Sequence, residues 1–270
     1  MLNIQSGLYL CPQHWLNNTL DIALVGVGAT GCAIATLLFK LNHIRSELTH
    51  GDYGINLYLF DGKAVTETGK NRTGFLSTEV GMNKSVVMAN KLNNALGKQF
   101  AVGTGRDFCK KDAKHNFDVV ITASDSASSR NMIARSHTEH PSRLAKLWLD
   151  VGVGEHYGNV VLGEFGHGKH RLPNVTDLFP AIQLEEEDKK TNRASCDVMD
   201  AITRQSFCVN EIGASMGIAI LSKLMLQGSI ATQGAMYDSA TCGSSSIHIN
   251  KTLWRNFGYR YRANPNKVLV

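Results

Sequence analysis

Short apolar runs of strand length alternate along this chain with stretches whose apolar residues recur every three or four positions. Residues 21–31, DIALVGVGATG, begin as an apolar run and end in glycines, which predicts a strand, a tight turn and a helix start. Cys32, Ile34, Ala35, Leu37, Leu38 and Leu41 then recur at helical spacing. They predict a helix of about four turns packed on the sheet, followed by a polar loop over residues 43–54. Residues 55–60, INLYLF, suit a second buried parallel strand ending at Asp61. After a polar segment at 62–81, Val86, Val87, Ala89 and Leu92 predict a helix starting near Lys84. Further strands are predicted at 100–103, 117–122, 145–153 and 159–163, with a helix at 126–136. Strands alternating with helices predict a doubly wound, mostly parallel Rossmann-like α/β sheet.

The ends and the middle of the chain differ from this pattern. Residues 1–20 carry a short apolar patch and Pro12, as in an edge strand or a lead-in hairpin. From residue 166 the composition turns polar and charged through 200, as in a mobile loop or crossover. Residues 201–226 carry a Gly- and Ala-rich helical pattern, expected to be central and close packed, with Cys208 in its apolar rhythm and therefore in the core. Residues 245–250 and 254–261 look strand-like, a C-terminal strand extension forming a closing hairpin or a docking surface. One domain over 1–270 is expected, with a lead-in at 1–20, a core at 21–165, a crossover at 166–200 and a C-terminal half at 201–270.

Composition narrows the function classes. A hydrophobic content of 43% and a charged content of 19% are ordinary for a soluble protein with a full core. The net charge of +5 is mild and its basic residues are scattered, which suits anionic ligands and gives no nucleic-acid groove. Six cysteines lie far apart without a C-x-x-C pair, so neither a zinc ribbon nor a disulfide framework is indicated, and reduced thiols in the cytoplasm fit. His167, His170 and Cys196 are too few, on glycine-rich flanks, to predict zinc. The N-terminus lacks a signal-peptide pattern, and residues 22–39, the one stretch long enough to imitate a membrane helix, are interrupted by three glycines in phosphate-loop spacing; no membrane is expected.

The candidate chemistry begins with Gly26-x-Gly28-x-x-Gly31. Such glycines turn the chain sharply, approach a phosphate and pack a helix on its strand, while free amides at the helix start attract negative charge. Asp61 would stand at the end of the neighbouring strand, where a ribose hydroxyl can be accepted, although it lies farther from the glycines than in dehydrogenases. Arg72 or Lys84 alone reads as a solvated charge; together, after that acid, they are placed to converge on a triphosphate. Asp125, between Ser124 and Ser126 after the strand at 117–122, is a candidate helix N-cap and a candidate metal or ligand group, two roles that do not exclude one another. Cys196 is either a small buried residue or a nucleophile.

The ordered set VGVGATG, LYLFDGKAV, KNRTGF, GMNKSVVMANKLN and VVITASDSASSR resembles the ThiF, MoeB and HesA family of ubiquitin-activating-enzyme-like adenylyltransferases. LPNVTDLFP, ASCDVMDAITRQSFCVN and WRNFGYRY look similar to the ThiF branch of PRTRC plasmid cassettes. The resemblance implies that ATP and Mg²⁺ are bound and that the C-terminal glycine of a ubiquitin-like or sulfur-carrier protein is activated as an acyl-adenylate. It implies nucleotide contacts from Gly26, Gly28, Ala29 and Gly31, ribose contact from Asp61, and phosphate contacts from Asn71, Arg72 and Lys84. Asp125 would hold Mg²⁺ beside Ser124 and Ser126, and Cys196, near Arg193, would accept the acyl group as a thioester. The paired zinc cysteines of many relatives are missing, and KNRTGF replaces their N-R-Q stretch. A homodimer is an expectation of the resemblance; in MoeB-like dimers an N-terminal arginine reaches the partner's ATP, yet no arginine precedes Arg45 here. Two other readings stand beside it: an NAD-dependent oxidoreductase, resting on the glycines and Asp61, and a non-catalytic nucleotide-binding module that recruits a partner.

Overall fold

The structure, a computed structural model, describes residues 2–124, 126–139, 147–166, 168–180 and 205–262. Its centre is an eight-stranded sheet. In chain order the strands are β3 (Leu20–Val25), β4 (Ile55–Phe60), β5 (Ala101–Gly103), β6 (Val119–Thr122), β7 (Leu147–Val153), β8 (Tyr157–Glu164), β10 (Thr232–Asp238) and β11 (Gly243–His248). Their spatial order is β11-β10-β8-β7-β6-β3-β4-β5. The run from β5 to β7 is parallel, and β8, β10 and β11 continue it antiparallel. From β3 the chain proceeds outward through β4 to β5, then returns to the other side of β3 with β6 and β7. The order therefore reverses between β3 and β6, and the crevice beyond their carboxyl ends is where such sheets bind ligands. The Rossmann-like expectation with a C-terminal strand extension is borne out.

Among the described residues the helices are α1 (Ala29–Leu48), α2 (Lys70–Thr73), α3 (Lys84–Leu96), α4 (Ala127–Glu139), α5 (Val175–Leu178), α6 (Val209–Gln227) and α7 (Lys251–Asn256). Strand residues Leu20, Ile22, Leu24, Leu57, Leu59 and Ile121 are fully buried, as the continuous apolar runs required. The lead-in is a hairpin of β1 (Leu2–Asn3) and β2 (Leu8–Leu10), which pairs with β9 (Ser229–Ile230). Helix α6 packs against α1, β7, β8 and β10. Gly213 makes this possible, since a Cβ there would lie 2.5 Å from the Tyr237 hydroxyl, which donates to the Val209 carbonyl. Among the described residues the one helix long and apolar enough to cross a membrane is α6, half of that stretch being buried inside the fold, and not residues 22–39, the stretch singled out in the sequence, which divide between β3, the glycine loop and α1.

Four expectations are corrected. Residues 43–48 are helical, because α1 continues until Asn42 and Arg45 have been used as buried side chains: Asn42 accepts the Ile55 amide, and the Arg45 guanidinium donates to the Trp15 and Asn18 carbonyls. Residues 205–208 precede α6, and Cys208 is exposed beside Phe207, itself 93% exposed, so Cys208 is not core. The segment at 254–261 is not a strand; it begins in α7, capped by Asn250, where buried Trp254 donates to Gln233 at 2.7 Å. The closing hairpin is instead β10 with β11.

Candidate functional site

The glycine loop joins β3 to α1 at the sheet's reversal point. Gly26 has φ +93°, a left-handed conformation, and a Cβ there would meet the Ala123 carbonyl oxygen at 2.6 Å. A Cβ at Gly31 would meet the Gly26 carbonyl oxygen at 2.0 Å, so the helix can approach the turn only with glycine. Gly28 differs: nothing lies within 4 Å of its Cβ direction. Gly28 is the N-cap of α1, and the first-turn amides after it have no intrahelical acceptor, as at any helix start. A helix start of this kind can receive an anion.

Asp61 sits at the end of β4 and is 7% exposed. Its Oδ2 accepts the Val27 amide and its Oδ1 the Lys63 amide, each at 2.8 Å, so the carboxylate clamps the glycine loop to the neighbouring strand. Asn83 caps α3 by accepting the Ser85 and Val86 amides, and its Nδ2 donates to the Asp61 carbonyl at 2.8 Å. That bond brings Lys84, the first residue of α3, to the end of β4. Burial pushes the Cys32 thiol beneath the loop up to about 12, against the opposing pull of nearby Lys84. Cys32 is therefore an inert packing residue.

Asn71 and Arg72 stand on α2. A cavity of about 540 Å³ between α1, α2, α3 and α6 has Arg72 on its wall, and a second of about 310 Å³ extends from Arg72 and Asn71 to Phe207 and Glu211. Arg72 Nη1 donates to Gln205 Oε1 at 2.8 Å. Beyond β6, Ser126 immediately precedes α4 and its Oγ accepts the Ser129 amide. Ser124 Oγ accepts the Ser126 amide. Asp125, Cys196 and His167 lie outside the described residues. Behind this loop Arg130 Nε donates to Asp150 at 2.7 Å, a buried pair that Thr122 joins through its hydroxyl. Thus the glycines, Asp61 and Lys84 gather around the ends of β3 and β4, Ser124 and Ser126 stand beyond β6, and Arg72 borders the adjoining cavities.

A family model described as the ThiF family matches residues 12–252. The chain belongs to the ThiF family. Among solved structures it is similar to E. coli MccB with ATP, at 15% identity and a TM-score of 0.56, covering 88% of this chain and 66% of that one. PaaA gives 13% identity and a TM-score of 0.58 at the same coverages. The microcin C7 biosynthetic enzyme MccB in complex with N-formylated MccA gives 15% identity and a TM-score of 0.52, covering 88% and 67%. At these identities the likeness is one of fold, and this chain spans 66% of the length of MccB in its ATP complex. No curated protein matches. Arg45, the first arginine of the sequence, is buried, with its guanidinium donating to the carbonyls of Trp15 and Asn18. Among the described residues no group of three or more His, Cys, Asp and Glu side chains is placed to hold a metal ion.

Gln205, Asn210 and Thr30 escaped sequence reasoning. Thr30 donates to Asn210 at 2.8 Å across 180 residues of sequence, and only the fold brings them together.

Proposed function

We propose that this ThiF-family chain is an ATP-dependent adenylyltransferase that activates a carboxylate of a peptide or protein partner. The observation that carries this reading is the uncapped first turn of α1, open on the side of Gly28, with Lys84 and Arg72 on the elements that flank it. The amides of Gly28 to Gly31 would receive phosphate oxygens, and Asp61, each of whose oxygens keeps a lone pair beyond its amide bond, would accept a ribose hydroxyl. In the reaction a carboxylate oxygen of the partner forms a bond to the α-phosphorus of ATP, the bond from that phosphorus to the bridging oxygen breaks, and pyrophosphate leaves with the electron pair. The nucleophile is already ionised, so no general base is required. The task of the protein is to hold the reactants in line and to place Arg72, Lys84 and helix amides where negative charge grows. The solved complexes of MccB with ATP and with N-formylated MccA support a nucleotide and a peptide substrate on this fold.

Mg²⁺ belongs to the same proposal, with Asp125 as its ligand beside Ser124 and Ser126. A carboxylate oxygen suits a hard cation. When bound, the ion would neutralise phosphate charge. The finer reading makes the partner a ubiquitin-like or sulfur-carrier protein ending in glycine, the compartment the cytoplasm, and Cys196 the acceptor of a thioester. The whole chain would act as one unit, and the PRTRC motifs point to its branch. The cations distinguish this reading from an NAD-dependent oxidoreductase, which leaves Arg72 and Lys84 without a role. Calorimetry tests it: ATP with Mg²⁺ should bind more tightly than NAD, and the reverse order would support the oxidoreductase.

A further inference from the structure

Arg72 is set in place by Gln205, a residue to which sequence reasoning assigns no role. Gln205 Oε1 accepts from Arg72 Nη1 at 2.8 Å and from Asn210 Nδ2 at 3.5 Å, while its Nε2 donates to the Gly154 carbonyl at 3.1 Å. Asn210, 7% exposed, in turn accepts from Thr30 in the first turn of α1 at 2.8 Å. The orientation of the Gln205 amide follows from these partners: reversed, its NH₂ would face the guanidinium N–H and its oxygen the Gly154 oxygen, two like-to-like contacts. One side chain therefore joins the glycine-loop helix, the Arg72 helix, the turn after β7 and the start of α6.

We infer that Gln205 is a positioning residue that aims Arg72 at the phosphates and keys it to the glycine loop through Asn210 and Thr30. The chemistry of the glutamine matters. A neutral carbonyl oxygen orients a guanidinium without cancelling its charge; a carboxylate at the same place would form an ion pair and withdraw that charge. The inference rests on the assignment of Arg72 to ATP phosphates.

The test is calorimetry of ATP and of adenosine on the full chain and on Gln205→Ala, Gln205→Glu, Arg72→Ala and the double variant Gln205→Ala with Arg72→Ala. Losing one hydrogen bond to a charged group should weaken ATP binding about tenfold in Gln205→Ala and leave adenosine binding unchanged. Gln205→Glu should weaken ATP binding at least as much, although it keeps the shape and the acceptor. In the Arg72→Ala background the Gln205→Ala change should have no further effect. Equal ATP binding by the wild type and both Gln205 variants overturns the inference. So does a Gln205→Ala loss that persists without Arg72 or extends equally to adenosine, since that marks general support of the fold. Should Gln205→Ala fail to fold, Gln205→Glu decides: unweakened ATP binding there overturns the inference. Absence of ATP binding by the wild type instead removes the nucleotide reading itself.

Discussion

Asp61 was expected for the ribose, but the geometry also gives it a structural duty that Asp61→Asn separates from nucleotide binding. The carboxylate accepts two backbone amides, from Val27 and Lys63, each at 2.8 Å, in a site where the residue is 7% exposed. Asparagine keeps one acceptor oxygen and places an NH₂ against the other amide, so one charge-assisted bond becomes a neutral one and one N–H is left facing a donor. A hydrogen bond to a charged group contributes about 1.5–3 kcal/mol and an unsatisfied buried donor costs about 1–3 kcal/mol, so the variant should lose roughly 3 kcal/mol. Urea denaturation without nucleotide measures this as a lower midpoint at unchanged slope. A loss below about 1 kcal/mol would refute the clamp and leave Asp61 as a ligand-binding group only.

Other substitutions separate fold from function in the same way. Gly31→Ala places a Cβ 2.0 Å from the Gly26 carbonyl oxygen and should cost at least about 2 kcal/mol. Gly28→Ala has open space around its Cβ and should change stability by no more than about 0.5 kcal/mol while weakening ATP binding; denaturation and calorimetry on both variants check the contrast. Asp150→Ala leaves Arg130 buried without its carboxylate, and urea denaturation should register a loss of about 3–5 kcal/mol. Iodoacetamide at pH 8, followed by peptide mass mapping, should label exposed Cys109, Cys208 and Cys242 before Cys11 and Cys32, whose thiols burial pushes up to about 11 and about 12. Labelling of Cys32 at the rate of the exposed thiols would contradict its placement beneath the glycine loop.

The parts of the fold that were legible are those where local pattern and burial agree. Residues 55–60 read as a strand because their apolar, β-prone run coincides with burial of Ile55, Leu57, Leu59 and Phe60, and the glycine spacing read as a strand–turn–helix because backbone contacts exclude a Cβ at two of its three positions. Legibility failed where tertiary partners decide. Asn42 and Arg45 look like loop residues until the Ile55 amide and the Trp15 and Asn18 carbonyls receive them. Strand β10, TQGAMYD, lacks a clean alternation because buried Gln233 bonds the Pro173 carbonyl and Trp254, and Gly234 lies against the Val160 carbonyl. Trp254 has a strand-prone side chain, yet Asn250 caps a helix around it. In the candidate site, the contact of Gln205 with Arg72 spans 133 residues, a distance no spacing rule covers.

The central claim is carboxylate adenylation, and ATP–pyrophosphate exchange tests it most directly. The full chain would be incubated with ATP, Mg²⁺, labelled pyrophosphate and purified ubiquitin-fold carrier proteins or peptides, each with a free and with an amidated C-terminus. The account predicts label entering ATP only with a free C-terminal carboxylate, and loss of that exchange in Lys84→Ala. Exchange that ignores amidation, or none with any free carboxylate despite tight ATP binding, would contradict it.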